Sequence, residues 1–317
     1  MRVLDASLLL VLALAGCADS GDDGHLVPHT VLGDPSLPRF ALADGRLVHL
    51  RTFGDPEAPV VVVLHGGPGG DHRDYLHLEA WAERFFVVLW DQRGTGLSER
   101  VPDEELDGPT YLADLDYLGE TFSPGRPLHL VGHSWGGAYA TYYAQRFPAR
   151  VATLVLVEPG ALDATAARRA NVVSVDFGAG GFQEFLNTTD YLLPDADARA
   201  DYFYVIALAG MKEDVELLGY DFWRLGYRAN LGINRWQGNF DGSYSFDFTT
   251  GLDAFEGQVL FVTGTSEGRL GHAFQMSEHV PRFAGARVLH LPDATHSELL
   301  RLPESLEAIG AFLEEAR

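Results

Sequence analysis

The sequence predicts an α/β fold with a mostly parallel central sheet and helices on both of its faces, and three observations lead to this prediction. Apolar runs rich in β-branched residues, such as PVVVVLHGG and VATLVLVEPG, are typical of strands buried on both faces. Segments with helical patterning separate these runs. The chain has 317 residues, of which 46% are hydrophobic, so it can bury a substantial core.

The predicted elements follow one another in a regular order. Residues 39–54, RFALADGRLVHLRTFG, hold two strand-like runs on either side of Asp44-Gly45, which predicts a tight hairpin. Strands and helices then alternate: strand 59–67, helix 72–85, strand 85–94, helix 110–122, strand 127–133, helix 135–147 and strand 151–160. After an interruption the pattern resumes with strands 257–264 and 286–292 and a last helix from about Ser297.

The interruption, residues 160–250, lacks clear buried strands and is rich in aromatic side chains: Phe222, Trp223, Tyr227, Trp236 and Phe240. The sequence therefore predicts one core formed by residues 39–159 and 251–317, with a mostly helical lid inserted between them. The aromatic residues either line an apolar substrate pocket or form the lid's own core, and the second use accounts for most of them.

The amino terminus has the pattern of an export signal. Residues 1–16 combine an early Arg2, an apolar run and small residues, and they are too short to span a bilayer comfortably. The run ends in LAGC, residues 14–17, which resembles the lipobox of bacterial lipoproteins. That resemblance implies cleavage before Cys17, lipidation of its thiol, and an exported protein anchored to a cell-envelope membrane. The alternative is an ordinary cleaved signal with an incidental cysteine.

Cysteine usage and charge exclude several classes of function. Cys17 is the only cysteine, so neither an intramolecular disulfide nor a cysteine-rich metal site can form. The small, acidic and turn-rich residues up to about 38 predict a flexible tether between Cys17 and the core. The net charge is −22, with 23 Lys and Arg against 45 Asp and Glu, and such a surface repels nucleic acid.

A serine between glycines is the strongest indication of chemistry. The run Gly132-His133-Ser134-Trp135-Gly136 follows a predicted strand and precedes a predicted helix, which is the context of the nucleophile elbow G-x-S-x-G. Such a turn strains the backbone of the serine, and the glycines remove side chains that would collide there. The pattern therefore predicts that Ser134 is displayed for nucleophilic attack, rather than lying in a chance glycine-rich turn.

A nucleophilic serine needs a base and an acid, which follow it in the order acid, then base, in this architecture. His296 lies after the last predicted strand and is the best-placed base. Glu267 follows the preceding strand and is the preferred acid. Glu158, at the end of VATLVLVEPG, is the alternative, and a third outcome is that neither serves.

Acyl transfer also needs backbone donors for the developing oxyanion. One predicted donor is the N–H of Trp135, directly after the serine. The other comes from the glycine-rich loop 65–70, where Gly67 is the chosen donor and Gly66 the alternative. We expect His65 to tie this loop down by hydrogen bonds rather than to transfer protons.

Three motifs occur together: HGGPGG at 65–70, DQRGTG at 91–96 and GHSWGG at 132–137. In this combination the chain resembles α/β-hydrolases of the proline iminopeptidase-like group over roughly residues 40–315. The resemblance implies a serine hydrolase that cleaves an ester or amide bond through an acyl-enzyme, and most often an aminopeptidase that releases an N-terminal proline. It implies no metal or cofactor, and it implies that Asp91 and Arg93 brace the active-site loops.

One departure from that group bears on the substrate. The family often has Trp-Glu-Gly where this chain has Trp236-Gln237-Gly238, so a neutral amide replaces a charge that would bind an amine. Glu184, Glu213 or Glu216 of the lid could supply the missing charge, although the preferred interpretation is that these residues form a solvated acidic face.

The expected partner is a small-molecule or short-peptide substrate. The alternatives are a carboxylesterase or lactonase without peptidase activity, and a non-catalytic binding protein on the same fold. The oligomeric state is left open.

Overall fold

The computed structural model describes residues 26–170, 193, 195–210, 221–239, 242–265 and 270–315. Eight strands form one sheet in the order β1-β2-β4-β3-β5-β6-β7-β8. Their bounds are β1 Arg39–Ala41, β2 Leu47–Phe53, β3 Val60–Leu64, β4 Phe86–Trp90, β5 Leu128–His133, β6 Val151–Val157, β7 Gln258–Thr263 and β8 Arg287–His290. Every strand predicted from the sequence is therefore present, with slightly narrower bounds.

The sheet is antiparallel at one edge and parallel elsewhere. β1 and β2 form the predicted antiparallel hairpin, in which Gly45 takes a positive φ of 87°. β2 is also antiparallel to β4, whereas the pairs from β4 through β8 are all parallel. Parallel strands place their carboxyl ends at one edge of the sheet, so the loops that follow them meet there.

The two faces of the sheet build two apolar layers because side chains alternate along a strand. All five residues of β3 are buried. Val60, Val62 and Leu64 pack into the layer under the helices that follow β4 and β5. Val61 and Val63 pack into the opposite layer, with the helices that follow β3 and β8. The confirmed α/β fold thus follows from apolar runs covered on both sides.

The helices lie between the strands, as predicted, with two differences. The α-helices are α1 Gly108–Phe122, α2 Trp135–Arg146, α3 Ala164–Ala170, α4 Ala196–Gly210, α5 Tyr227–Gln237, α6 His272–Phe274 and α7 Pro303–Glu315. The segment predicted as helix 72–85 is a 3-10 helix, Arg73–Glu83. The last helix begins at Pro303, not near Ser297, because residues 297–302 are occupied by turns.

The described part of the predicted lid contains α3, α4 and α5, and the boundaries of the lid remain a prediction. One buried carboxylate joins this region to the core: Asp201, on α4, receives hydrogen bonds from Arg100 at 2.9 and 3.0 Å and from Arg224 at 2.7 Å. Arg224 in turn donates to the backbone oxygen of Pro28 at 2.8 Å. None of the helices in the described ranges is both long and apolar enough to cross a membrane.

Candidate active site

Ser134 lies between the last residue of β5 and the first residue of α2, with φ 54° and ψ −122°. A positive φ is unfavourable for a residue with a side chain, so the surrounding structure must impose it. The Ser134 N–H donates to Val157 O at 3.0 Å, and its carbonyl accepts from Gly160 N at 2.8 Å. The residue is half-buried.

The glycines beside Ser134 have the predicted steric role. A Cβ on Gly132 would overlap the backbone of Gly136, and one on Gly136 would overlap the carbonyl of Leu64. A Cβ on Gly137 would come within 2.7 Å of Pro159. The turn therefore closes only with glycine at these positions, which keeps the serine at the tip of the strand.

His296 lies in the loop between β8 and α7 and is half-buried. Its Nδ1 is 2.6 Å from Oε2 of Glu158. Glu158 directly follows β6, is fully buried, and has a positive φ of 37°. Its other carboxylate oxygen accepts the Gly264 N–H at 2.8 Å. The carboxylate is thus fixed at the carboxyl ends of β6 and β7 and faces the imidazole.

Glu267, which sequence analysis predicted as the preferred acid, falls in residues 266–269, outside the described residues. The alternative, Glu158, is in contact with the imidazole. Because Nδ1 of a histidine carries a single proton, it makes one strong hydrogen bond, and Glu158 receives it. Sequence spacing could not decide between them, since both glutamates follow neighbouring strands of the sheet.

His296 also lies beside the nucleophile elbow. The rings of His133 and His296 have their centroids 4.5 Å apart, and Nε2 of His133 is 3.0 Å from the backbone oxygen of His296. Since His133 is the chain neighbour of Ser134, the fold brings the elbow, the imidazole and the carboxylate together at one edge of the sheet. Sequence analysis gave no role to His133, although it stands inside the motif.

The glycine-rich loop packs directly against the serine. A Cβ on Gly66 would lie 3.0 Å from the Cβ of Ser134 and 3.6 Å from its Oγ. Gly67 has φ 125°, a conformation that favours glycine. Trp135 is the first residue of α2, where a backbone N–H has no acceptor within its own helix. Trp135 directly follows Ser134, and the loop that carries Gly67 packs against the serine through Gly66. The role of Gly67 and Trp135 as oxyanion donors stays a prediction.

His65 fixes this loop. Its Nδ1 donates to Gly66 O at 2.9 Å, while its Nε2 accepts the Gln92 N–H at 3.1 Å. Gln92 also donates its side-chain N–H to the His65 carbonyl at 3.0 Å. Burial lowers the pKa of His65 to about 4, so the imidazole is neutral near pH 7. A neutral ring that is hydrogen-bonded through both nitrogens acts as a brace.

Asp91 and Arg93 brace the neighbouring loops. Both oxygens of Asp91 accept from histidines, from Nδ1 of His49 at 2.9 Å and of His72 at 2.7 Å. These imidazoles hold the pKa of the buried Asp91 carboxyl well below its ordinary value, although burial itself acts in the opposite direction. Arg93 forms a bidentate pair with Asp114 at 2.7 and 2.8 Å.

The same two histidines and Asp91 form a cluster of potential metal ligands. Possible ligand atoms of His49, His72 and Asp91 lie within 4.8 Å of one another. Each carboxylate oxygen already accepts one backbone N–H, from His72 or Leu97, as well as one imidazole. An oxygen that accepts two hydrogen bonds has little capacity left for a cation, so we interpret the cluster as structural.

The described lid segment 221–239 lies against the glycine-rich loop. Asp71 accepts the backbone N–H groups of Trp223 at 2.6 Å and Arg224 at 3.0 Å. Asn230 donates to Pro68 O at 2.8 Å. These contacts connect the lid to the loop that carries Gly67.

Most of the lid aromatics that the structure describes pack against other rings. Trp236 stacks on Phe248, with centroids 6.0 Å apart, and Trp223 meets the His49 ring at 5.2 Å. Gln237 is buried, and its side-chain oxygen accepts from Asn239 at 3.2 Å. Glu184, Glu213 and Glu216 fall outside the described residues.

Comparisons with known proteins agree with this geometry. A family model described as alpha/beta hydrolase fold matches residues 59–300. A proline iminopeptidase of Xylella fastidiosa is 34% identical over 116 residues, which make up 36% of this chain and 36% of that protein. The match thus spans only about a third of that relative's length. A bifunctional esterase/perhydrolase of Acinetobacter calcoaceticus is 29% identical over 231 residues, covering 71% of this chain and 80% of that protein.

Solved structures resemble the chain over most of its length. A proline iminopeptidase-related protein from Thermus thermophilus gives a TM-score of 0.57 at 23% identity and covers 89% of this chain and 96% of its own. A thermophilic esterase from Thermogutta terrifontis gives 0.60 at 19% identity, with coverage of 88% and 98%. At these identities the likeness concerns the fold.

Proposed function

Because the chain belongs to the alpha/beta hydrolase fold family, we propose that it is a serine hydrolase with Ser134 as nucleophile, His296 as base and Glu158 as acid. The observation that carries the proposal is the 2.6 Å contact between His296 and the buried Glu158 beside a strained serine. A carboxylate at Nδ1 keeps the proton there, so that Nε2 can accept one from a hydroxyl.

The proposed reaction has two halves. Ser134 Oγ attacks an ester or amide carbonyl and its proton passes to Nε2 of His296, while the N–H groups of Gly67 and Trp135 stabilise the oxyanion. Collapse of this intermediate breaks the scissile bond, and His296 gives its proton to the departing alcohol or amine. Water then attacks the acyl-enzyme through the same groups, and the proton returns to Ser134. Glu158 stabilises the imidazolium formed in each half.

Covalent labelling tests this proposal without knowledge of the substrate. An active-site-directed fluorophosphonate should label the wild-type protein, and Ser134→Ala should abolish the labelling while the unfolding temperature stays the same. Labelling that persists in Ser134→Ala would remove Ser134 from the mechanism. A folded wild-type protein that the probe does not label would instead support a non-catalytic binding protein.

For the substrate, we propose first a proline iminopeptidase-like aminopeptidase. The three glycine-rich motifs support it, together with the 34% identity to the Xylella fastidiosa protein. The second candidate is a carboxylesterase or lactonase. It is favoured by Gln237, whose buried neutral amide cannot form an ion pair with a substrate ammonium group, and by the esterase/perhydrolase relative.

A substrate panel separates the two candidates. The protein would be assayed with proline p-nitroanilide, with the same compound blocked at its amine, and with p-nitrophenyl acetate and butyrate. An aminopeptidase cleaves the free-amine anilide and rejects the blocked one. Turnover of the esters alone would eliminate the aminopeptidase, and Gln237→Glu then tests whether a carboxylate restores recognition of the amine.

We also propose that the protein is exported and anchored to a cell-envelope membrane through lipid on Cys17. The LAGC run at 14–17 supports this, as does the placement of the sole cysteine directly after an apolar run. Expression in a bacterial host with radiolabelled palmitate should label the wild-type chain, and Cys17→Ala should remove the label and the protein's partition into detergent. A processed but unlabelled wild-type chain would point to an ordinary cleaved signal.

A further inference from the structure

His133, the second residue of the elbow motif, bonds through both of its ring nitrogens. Nδ1 is 2.8 Å from the Tyr75 hydroxyl, and Nε2 is 3.0 Å from the backbone oxygen of His296. A carbonyl oxygen only accepts, so we assign the ring proton to Nε2. Burial holds the pKa of His133 well below its ordinary value, so the ring is neutral and Nδ1 is an acceptor. Tyr75 is therefore the donor to Nδ1.

Tyr75 is itself buried, with 3% of its surface exposed. A directional chain results, in which Tyr75 donates to His133 and His133 donates to the backbone oxygen of His296. The chain ends at the proposed base.

His296 needs such support because it lies in a loop. No sheet ladder can fix a residue between the end of β8 at His290 and the start of α7 at Pro303. Two of its contacts come from different sides: Glu158 at Nδ1, and His133 at the carbonyl. If the His133 proton moved to Nδ1, an Nε2 lone pair would face the His296 oxygen and the contact would become repulsive.

We propose that His133 is a positioning residue for His296, and that Tyr75 selects the tautomer of His133 that can do this. The inference rests on the proposed function, because it assumes that His296 is the base. The competing explanation is that His133 and Tyr75 only fill buried space. The two explanations differ in which ring nitrogen matters.

Two isosteric amides separate these explanations. In His133→Gln the amide nitrogen lies near the position of Nε2, so a donor to the His296 carbonyl is retained. In His133→Asn the amide lies near Nδ1, so that donor is lost. Both variants introduce one neutral amide of smaller volume, and a packing role would weaken both to a similar degree.

The measurement is the rate of fluorophosphonate labelling at several probe concentrations, which gives the maximal inactivation rate and the half-saturating probe concentration. The rate of p-nitrophenyl acetate hydrolysis is measured in parallel. We expect His133→Gln to keep the maximal rate within threefold of wild type. His133→Asn should lower it by 10- to 100-fold with the half-saturating concentration within twofold. Equal rates in the two variants, whether high or low, would overturn the proposal.

Tyr75→Phe provides a second test, which does not depend on the folding of the histidine variants. It removes a single oxygen, and we expect a threefold to tenfold slower maximal rate in the wild-type background. When His133→Gln folds, adding Tyr75→Phe to it should cause no further loss, because no tautomer remains to be selected. A wild-type rate in Tyr75→Phe would overturn the role of Tyr75. Failure of the proposed function itself is recognised separately, by a wild-type protein that is not labelled or a Ser134→Ala protein that is.

Discussion

Oε2 of Glu158 lies 2.6 Å from Nδ1 of His296, while Oε1 of the same carboxylate accepts the Gly264 N–H at 2.8 Å. The carboxylate is therefore tied to the end of β7 on one side and to the imidazole on the other. Its positive φ of 37° turns the chain sharply out of β6. This arrangement distinguishes Glu158 from every other described acid and leads to the first prediction.

Glu158→Gln should lower kcat for p-nitrophenyl acetate by about a thousandfold with the fold intact. An amide at this position can donate to Nδ1 and so favours the wrong tautomer, which typically costs up to about 10⁴-fold. The control is Glu267→Gln, for which we expect a change of less than threefold. A large loss of activity in Glu267→Gln, together with little effect of Glu158→Gln, would assign the role of the acid to Glu267.

Gly66→Ala should impair the site by crowding the nucleophile. The new Cβ would lie 3.0 Å from the Cβ of Ser134, and relieving such overpacking typically costs about 1–3 kcal/mol. We expect at least a tenfold slower fluorophosphonate labelling. Gly160→Ala is the matched control, because a Cβ there meets its nearest atoms, also around Ser134, at an ordinary 3.7 Å. Similar rates in both variants would contradict a tight loop–serine contact.

Stability should fall as the pH falls from about 6.5 toward 4, because His65 is buried and neutral. The unfolded chain takes up a proton near the ordinary pKa of 6.5, whereas burial lowers the folded pKa to about 4. The unfolded state binds more protons in that window, so the stabilisation is complete above 6.5 and is lost on acidification. His65 alone should account for about 2 kcal/mol between pH 7 and 5.

His65→Asn tests this assignment, because the amide replaces the donor to Gly66 and does not titrate. Urea unfolding at pH 7 and pH 5 should show a smaller decrease in the free energy of unfolding for the variant than for the wild type. An identical decrease in both proteins would show that other groups carry the pH dependence.

Asp201→Asn should destabilise the protein by about 3–5 kcal/mol, because it leaves two buried guanidinium groups without their carboxylate. Arg100 and Arg224 both donate to Asp201, which is 2% exposed. Urea unfolding would measure the effect. Glu315→Gln serves as the control, since its pair with Arg287 is about half exposed on both sides and should be worth less than about 1 kcal/mol. Equal effects of the two substitutions would contradict the role of Asp201 as the buried ion-pair partner of both arginines.

The sheet could be predicted from the sequence because each strand carries its own signal. β3 and β4 are unbroken runs of five buried apolar residues that include several valines, and such runs are typical of strands buried on both faces. The start of the last helix was missed by about six residues. Pro303 at its first position is a helix-start signal that was available in the sequence. The turns before it are the segment that presents His296.

The sequence predicted those site residues that belong to a local motif. It could not predict those whose role depends on contacts between distant positions in the chain. Ser134 and its flanking glycines form one such motif. The partner of His296 depends on strand order, since β6 and β7 are neighbours in the sheet and each is followed by a glutamate in the sequence. Tyr75 gave no signal, because its contact with His133 joins residues 58 positions apart.

The bond from Arg224 to the Pro28 carbonyl fixes the polypeptide only eleven positions beyond Cys17. Eleven extended residues reach about 35–40 Å at most. A diacylglycerol group on that cysteine would keep the whole catalytic domain within a few tens of ångströms of the lipid surface. The point of attachment would lie beside Arg224, in the described lid segment. Hydrophobic esters and peptides concentrated at the head-group layer would then meet the enzyme far more often than dilute solutes in bulk water.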